Sequence, residues 1–287
     1  MTAVWRFEAI GTAWEIETTD PLDDTSRRTV LDVIDAIDRR WSRFRPDSLV
    51  SRAAETGGSW ELCASDDRLL RFYDRLHAAT DGALTPLVGR RLADLGYDAD
   101  YTLRPSATPA AVPSWDVVRW DPPVLHLAAP VLVDVGAAGK GFVVDAVSRC
   151  LAETGHARHT VDGSGDLLHA GEWPLRVALQ DPRDHTKAVG VVEVASGEAL
   201  AASATDRRAW GDGLHHVLDG RTGEPTRDVM ATWVVADDAM TADGLATALF
   251  FTRPEDLARQ WRFGWVIMKA DGSVRWSRDL AVEVFGR

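Results

Sequence analysis

The chain has 287 residues, enough to bury a full core as one large domain or as two interlocked halves. Apolar content of 45% and charged content of 26% are ordinary for a globular protein, and 44 acidic against 32 basic residues leave a net charge of −12. That balance argues against nucleic acid as the main partner, and the two cysteines, Cys63 and Cys150, are too few for a disulfide framework or a zinc site.

The N-terminal stretch "VWRFEAIGTAWEIETT" alternates apolar and polar residues and predicts a strand pair bending at Gly11. It carries no basic segment followed by an apolar run, and no part of the chain approaches the ~20 apolar residues of a membrane span, so a cytoplasmic protein without membrane insertion is expected. From Thr25 to Phe44, apolar residues recur at three- and four-residue steps and predict an amphipathic helix. A second helix is expected from Ser65, as N-cap, toward Gly82. "YTLRPSATPAAVPSWD" reads as a surface connection, and "VVRWDPPVLHLAA" as a hairpin with a Pro-containing turn. Phe142 to Glu153 predicts a helix closed by Gly155. Strands are expected at "HTVDGSGDLLHAG", "LRVALQDP", "AVGVVEVASGEALAAS" and "TWVVADD", then a helix from Thr241 to Phe251 and a terminal hairpin turning at Asp271-Gly272. Strands and helices mix without a strict βαβ alternation, so the fold class is α+β.

Three clusters could carry chemistry. In "VLVDVGAAGKGFVVD" a strand, a glycine turn and a helix follow one another, which offers backbone N–H groups and a helix N-terminus to an anion. Lys140, one of only three lysines against 29 arginines, would add a full charge there, or would simply be a solvated lysine on a strand–helix turn. P-loop and Rossmann spacings both fail. In "TADGLATALFF", Asp243 and Thr247 lie four apart, so a helix puts a carboxylate and a hydroxyl on one side, as hard ligands for magnesium. The same pair also suits an acid near a helix start and a hydroxyl bonded back to its own helix. In "GLHHVLDGRTGEP", one of two histidines could be a general base, or both could be packed. "DGSGD" (162–166) and "LQDPRD" (179–184) are acid-bearing turns that structure alone can account for.

Taken in order, these segments resemble the ApbE family of FAD:protein FMN transferases. "FEAIGTAWEI" resembles the family's "MGT" strand, "WSRFRPDSLVSR" its "SxFxPDSExSxLN", and "TDGALTP" its "TxGAFDPT". "VDVGAAGKGFVVD" is similar to "DLGAIAKGYAVD", "VDGSGD" to "NxGGD", "HHVLDGRTGEP" to "HIIDPRTGxP", and "ADGLATALF" to "ADALATALF". The resemblance implies an α+β, ApbE-type fold related to the T-fold: mixed sheets packed with helices in a single compact unit over residues 1–287, with any internal split near 100–115. It implies cleavage of FAD at the pyrophosphate, attachment of FMN through phosphate to a threonine hydroxyl of an acceptor flavoprotein, and departure of AMP. Carried over by motif, Asp243, Thr247 and the backbone carbonyl of Ala137 would bind Mg2+, and His216 would be the candidate base. Asp134 and Lys140 would line the FAD site with Ile10, Phe44, the turn Ala83, Leu84 and Thr85, and Val217.

The sequence also departs from the family pattern. Ala53-Ala54 replaces a Leu-Asn pair, the "AFDPT" turn becomes Ala83 to Leu87, "TSG" becomes Ala202-Ser203-Ala204, and Gly220 stands where "DPRTG" has proline. The metal pair, the histidine and Lys140 survive these changes. Two alternatives accompany the transferase expectation: a pyrophosphatase splitting FAD into FMN and AMP, and a flavin-binding member without turnover.

Overall fold

The computed structural model describes residues 2–285. Strands β1 (Ala3–Ala9) and β2 (Thr12–Thr18) pair through a two-residue turn in which Ile10 and Gly11 both have positive φ (45° and 72°). That turn type matches the right-handed twist of a hairpin. Helix α1 runs Asp24–Trp41, capped by Asp23, whose carboxylate accepts the Ser26 N–H at 2.7 Å. It ends three residues before the predicted Phe44. Ser42 turns extended, which releases Arg43 and Phe44 from the helix.

Helix α2 (Leu49–Thr56) is not predicted by periodicity, because two turns hold too few apolar repeats to register. Strand β3 (Gly58–Glu61) leads to α3 (Asp66–Ala79). The expected Ser65 cap is absent, since that side chain makes no capping bond. The neighbouring Asp66, fully buried, accepts the Cys63 N–H (3.1 Å) and the Trp41 indole N–H (2.9 Å) and pairs with Arg40. A carboxylate in the first turn performs the stabilising role expected of the serine.

Short helix α4 (Gly89–Asp94) precedes the surface connection, and β4 (Val118–Asp121) and β5 (Val124–Leu127) form the predicted hairpin, extended by β3 into a three-stranded sheet. Helix α5 spans Gly139–Glu153, starting three residues earlier than predicted because its first turn includes the glycines. Then come β6 (His159–Asp162), β7 (Asp166–His169), β8 (Leu175–Asp181), β9 (Asp184–Val194) and β10 (Glu198–Ala204). Two short ladders follow: β11 (Ala209–Trp210) with β12 (Leu214–His215), and β13 (Leu218–Asp219) with β14 (Glu224–Pro225). The chain continues through β15 (Val229–Ala236), α6 (Ala239–Ala248), α7 (Pro254–Leu257), β16 (Gly264–Lys269) and β17 (Val274–Trp276). The β16–β17 hairpin is not terminal: β18 (Val282–Val284) returns to pair with β9.

Among the described residues the main sheet is antiparallel, in the order β1-β2-β6-β7-β10-β15-β16-β17, and a smaller sheet runs β18-β9-β8. Alternation along the central strands divides the core in two. Ala199 and Ala201 of β10, Val234 and Ala236 of β15, and Ile267 of β16 face the helices α1, α5 and α6. Leu200, Trp233, Val235, Val266 and Met268 face the small sheet. The result is a three-layer sandwich of helices, large sheet and small sheet, a mixed α+β unit as expected. No helix among the described residues is long and apolar enough to cross a membrane.

Candidate active site

One cavity of about 1170 Å³ opens where the layers meet. Its wall is built from the β1–β2 turn, the residues just past α1, the glycine segment before α5, the turn between β6 and β7, the end of β10, and α6. Of the twelve residues implied by motif, eleven line it: Ile10, Phe44, Leu84, Thr85, Asp134, Ala137, Lys140, His216, Val217, Asp243 and Thr247. Ala83 does not. It is fully buried, and its carbonyl accepts the Gly220 N–H at 2.7 Å. Its place is to brace the turn behind the wall. A Cβ on Gly220 would stand 2.4 Å from the Thr85 methyl, so two departures from the family pattern, Thr85 and Gly220, fill each other's space.

The acidic centre lies between α5, α6 and β7. Asp243 Oδ2 accepts the Gly141 N–H at 3.0 Å. Beside it stands Asp166, fully buried, with no hydrogen-bond donor on either oxygen among the described residues and with Lys140 Nζ paired at 3.4 Å. Burial pushes both acids up. Asp166 is partly relieved by Lys140, and Asp243 is raised further by the charge of Asp166. Two carboxyls facing each other out of water hold either a proton or a cation. Lys140 also donates to the Ser164 carbonyl at 2.9 Å. It therefore bridges the glycine turn to the β6–β7 turn, and its charge is already committed to Asp166. In the sequence Asp166 closes an acid-bearing turn and the segment similar to "NxGGD"; only the fold brings it against Asp243.

A second polar group was also missed. Arg43, with a side chain 2% exposed, pairs with Asp134 at 2.5 Å, donates to the Tyr97 carbonyl at 2.7 Å, and stacks its guanidinium 4.2 Å from the Phe44 ring centroid. Asp134 accepts the Gly136 N–H as well. Against the cost of burial, Arg43 holds its carboxyl below the usual range. Asp134 is thus a fixed anion that organises the glycine segment. Arg43 occupies a variable position of the motif, so no pattern could single it out.

The two histidines have different environments. His215 is buried and structural: its Nδ1 accepts the Val217 N–H (3.2 Å), which leaves Nε2 to donate to the Thr226 carbonyl (2.8 Å). His216 faces the cavity. Burial, then the Arg208 charge, then His215 push its imidazole down to about 3, and its Nδ1 has no hydrogen-bond partner among the described residues. It is neutral across the physiological range and free to accept a proton.

The site's chemistry can therefore be compared with known proteins. Residues 10–263 match the family model described as the ApbE family. The chain is 27% identical over 280 residues to the FAD:protein FMN transferase of Klebsiella pneumoniae, covering 89% of this chain and 77% of that one. It is 26% identical over 249 residues to the enzyme of the same name from Escherichia coli, covering 77% and 69%. Its fold superposes on the ApbE protein of Thermotoga maritima with a TM-score of 0.84, 24% identity and 97% of each chain covered. On the flavin transferase ApbE of Vibrio cholerae it does so with 0.77, 20% and 96% of each. The chain belongs to the ApbE family.

Proposed function

We propose that this protein transfers FMN from FAD to a threonine of an acceptor protein, with magnesium as the metal. The observation that carries the reading is the meeting of α6 with the glycine turn: Asp243 and Thr247 line the same cavity as Ala137, Lys140 and His216. The relatives' shared name, FAD:protein FMN transferase, supplies the substrate class. The cavity exceeds the roughly 300–1,000 Å³ of ordinary ligand pockets, as room for a dinucleotide and an incoming side chain requires.

The donor set fits magnesium. One carboxylate, one hydroxyl and the Ala137 carbonyl are hard oxygens, and this ion commonly completes its shell with water and phosphate. The raised Asp243, pressed against Asp166, fits a cation rather than two bare charges. When bound, the ion supplies positive charge against the diphosphate.

The chain's own residues do the rest. The glycine turn, Lys140 and Arg208 line the wall where the diphosphate would lie. His216, neutral and with an unpartnered nitrogen, takes the proton of the attacking hydroxyl. The threonine oxygen–phosphorus bond forms as the phosphorus–oxygen bond to AMP breaks. An imidazole held at about 3, by burial first and then by Arg208, is a weak base, and a diphosphate's negative charge would offset the Arg208 part and move it upward.

The test is incubation with FAD, Mg2+ and a candidate acceptor, followed by flavin fluorescence on a denaturing gel and measurement of AMP. Labelled acceptor with AMP is expected. AMP with free FMN would instead make the protein a pyrophosphatase, and retained flavin with neither product a binding protein.

A further inference from the structure

The first turns of α5 and α6 exchange carboxylates. Gly141 N–H donates to Asp243 Oδ2 at 3.0 Å, and Ala239 N–H donates to Asp145 Oδ1 at 2.7 Å. In each helix the acceptor lies four residues beyond the donor, so 141/145 on α5 mirrors 239/243 on α6. The backbones touch between these bonds: a Cβ on Gly141 would stand 2.1 Å from the Ala239 carbonyl oxygen. The second oxygen of Asp145 accepts the Met240 N–H (3.2 Å) and pairs with Arg68 of α3 (3.1 Å). The other arm of Arg68 pairs with Asp238 at 2.6 Å.

The two halves of the exchange differ in one respect. Asp243 lines the cavity, and Asp145 does not. Asp145 is not the N-cap residue of α6. Asp238 holds that place, accepting the Thr241 N–H (2.7 Å) and hydroxyl (2.9 Å), while Asp145 takes the Ala239 and Met240 N–H groups from another helix. A second buried acid at the same helix start is costly, and burial together with the Asp238 charge pushes Asp145 up to about 6. What Asp145 adds is attachment of α6 to α5. Its bonds cross between the helices, whereas those of Asp238 to Thr241 stay within one.

We propose that Asp145, braced by Arg68, is a positioning residue for the metal ligands of α6. It sets the depth and rotation of α6 against the glycine turn, so that Asp243 and Thr247 meet the Ala137 carbonyl at one point. This rests on the reading of those three as magnesium ligands. Groups that orient ligands from behind have a characteristic effect: their loss weakens metal binding out of proportion to any loss of fold.

The test uses Mn2+ as a spectroscopic probe on the full chain, titrated by electron paramagnetic resonance below the melting temperature of every variant. Asp145→Asn should weaken Mn2+ binding about 10- to 100-fold, Arg68→Gln by less, and Arg68→Lys should restore most of that loss. Leu257→Ala, a core cavity variant that takes no part in the exchange, should lower the melting temperature and leave Mn2+ affinity unchanged. Affinities for Asp145→Asn and Arg68→Gln within about twofold of the parent would overturn the proposal. So would an equal loss in Leu257→Ala. If Asp145→Asn does not fold, Arg68→Gln, at the partly exposed end of the pair, decides alone. Failure of the parent chain to bind Mn2+ would remove the magnesium reading and this inference with it, whereas normal parent binding with unaffected variants removes the inference only.

Discussion

His215 and His216 are adjacent in the chain, yet one is locked between two backbone partners and the other faces the cavity with a nitrogen free. The difference has a consequence for stability as well as chemistry. The folded-state value of His216 is about 3, against 6.5 for an ordinary histidine. Between those values the unfolded chain binds the extra proton, so stability present at neutral pH is lost as pH falls from 6.5 toward 3. His216→Gln should flatten that acid loss in urea unfolding measured at several pH values, and should abolish transfer to acceptor while leaving FAD binding in place. Arg43 and Asp134 make the opposite kind of pair. Removing one partner of a buried ion pair strands the other, so Arg43→Met should cost about 3–5 kcal/mol in urea unfolding at pH 7. The cost should shrink as pH falls, because the stranded, buried Asp134 takes up its proton above the usual carboxylate range. Asp243→Asn keeps the shape and the bond from Gly141 and removes a charge pressed against Asp166. It should melt no lower than the parent in metal-free buffer and lose Mg2+-dependent turnover.

Helices α5 and α6 owe their close approach to small residues. Gly141 rests against the Ala239 carbonyl, and a Cβ on Gly244 would lie 2.4 Å from the Phe72 ring. The Phe72 ring can shift and the Ala239 backbone cannot, so Gly141→Ala should destabilise by at least the ~1–3 kcal/mol typical of overpacking, read as a lower melting temperature. It should also raise the Mg2+ concentration needed for activity, because it forces apart the elements carrying Gly141 and Asp243. Elements of this length were legible from the sequence wherever their faces differ. The stripe of α1 shows as Val30, Ile34, Ile37 and Trp41, all buried. The eight-residue α2 was not legible. Helix starts were misplaced for a similar reason: the Ser65 and Phe142 signals are local, whereas Asp66 draws its partners from α1 and the preceding loop, and α5 begins inside a glycine turn stabilised by Asp243 from another helix.

At the scale of the whole molecule, the cavity sits at the junction of helices, main sheet and small sheet, so a ligand there contacts every layer. Binding to the native state alone stabilises it by about 2.7 kcal/mol at 100 times Kd. FAD should therefore raise the melting temperature, Mg2+ should add to the shift, and in Asp243→Ala the Mg2+ increment should vanish while the FAD shift remains. What the sequence by itself determined was periodicity, turn chemistry and the order of the motifs, because these depend on residues a few positions apart. From them came the α+β class, most strands, the long helices and, of the twelve residues implied by motif, the eleven that line the cavity. Only the tertiary structure decided that Ala83 lies behind the wall, that Lys140 is committed to Asp166, that Arg43 anchors Asp134, and that α5 and α6 exchange carboxylates. Each of these joins residues about 25 to 140 positions apart. A contact across such a separation leaves no local pattern, because it is set by how the layers pack.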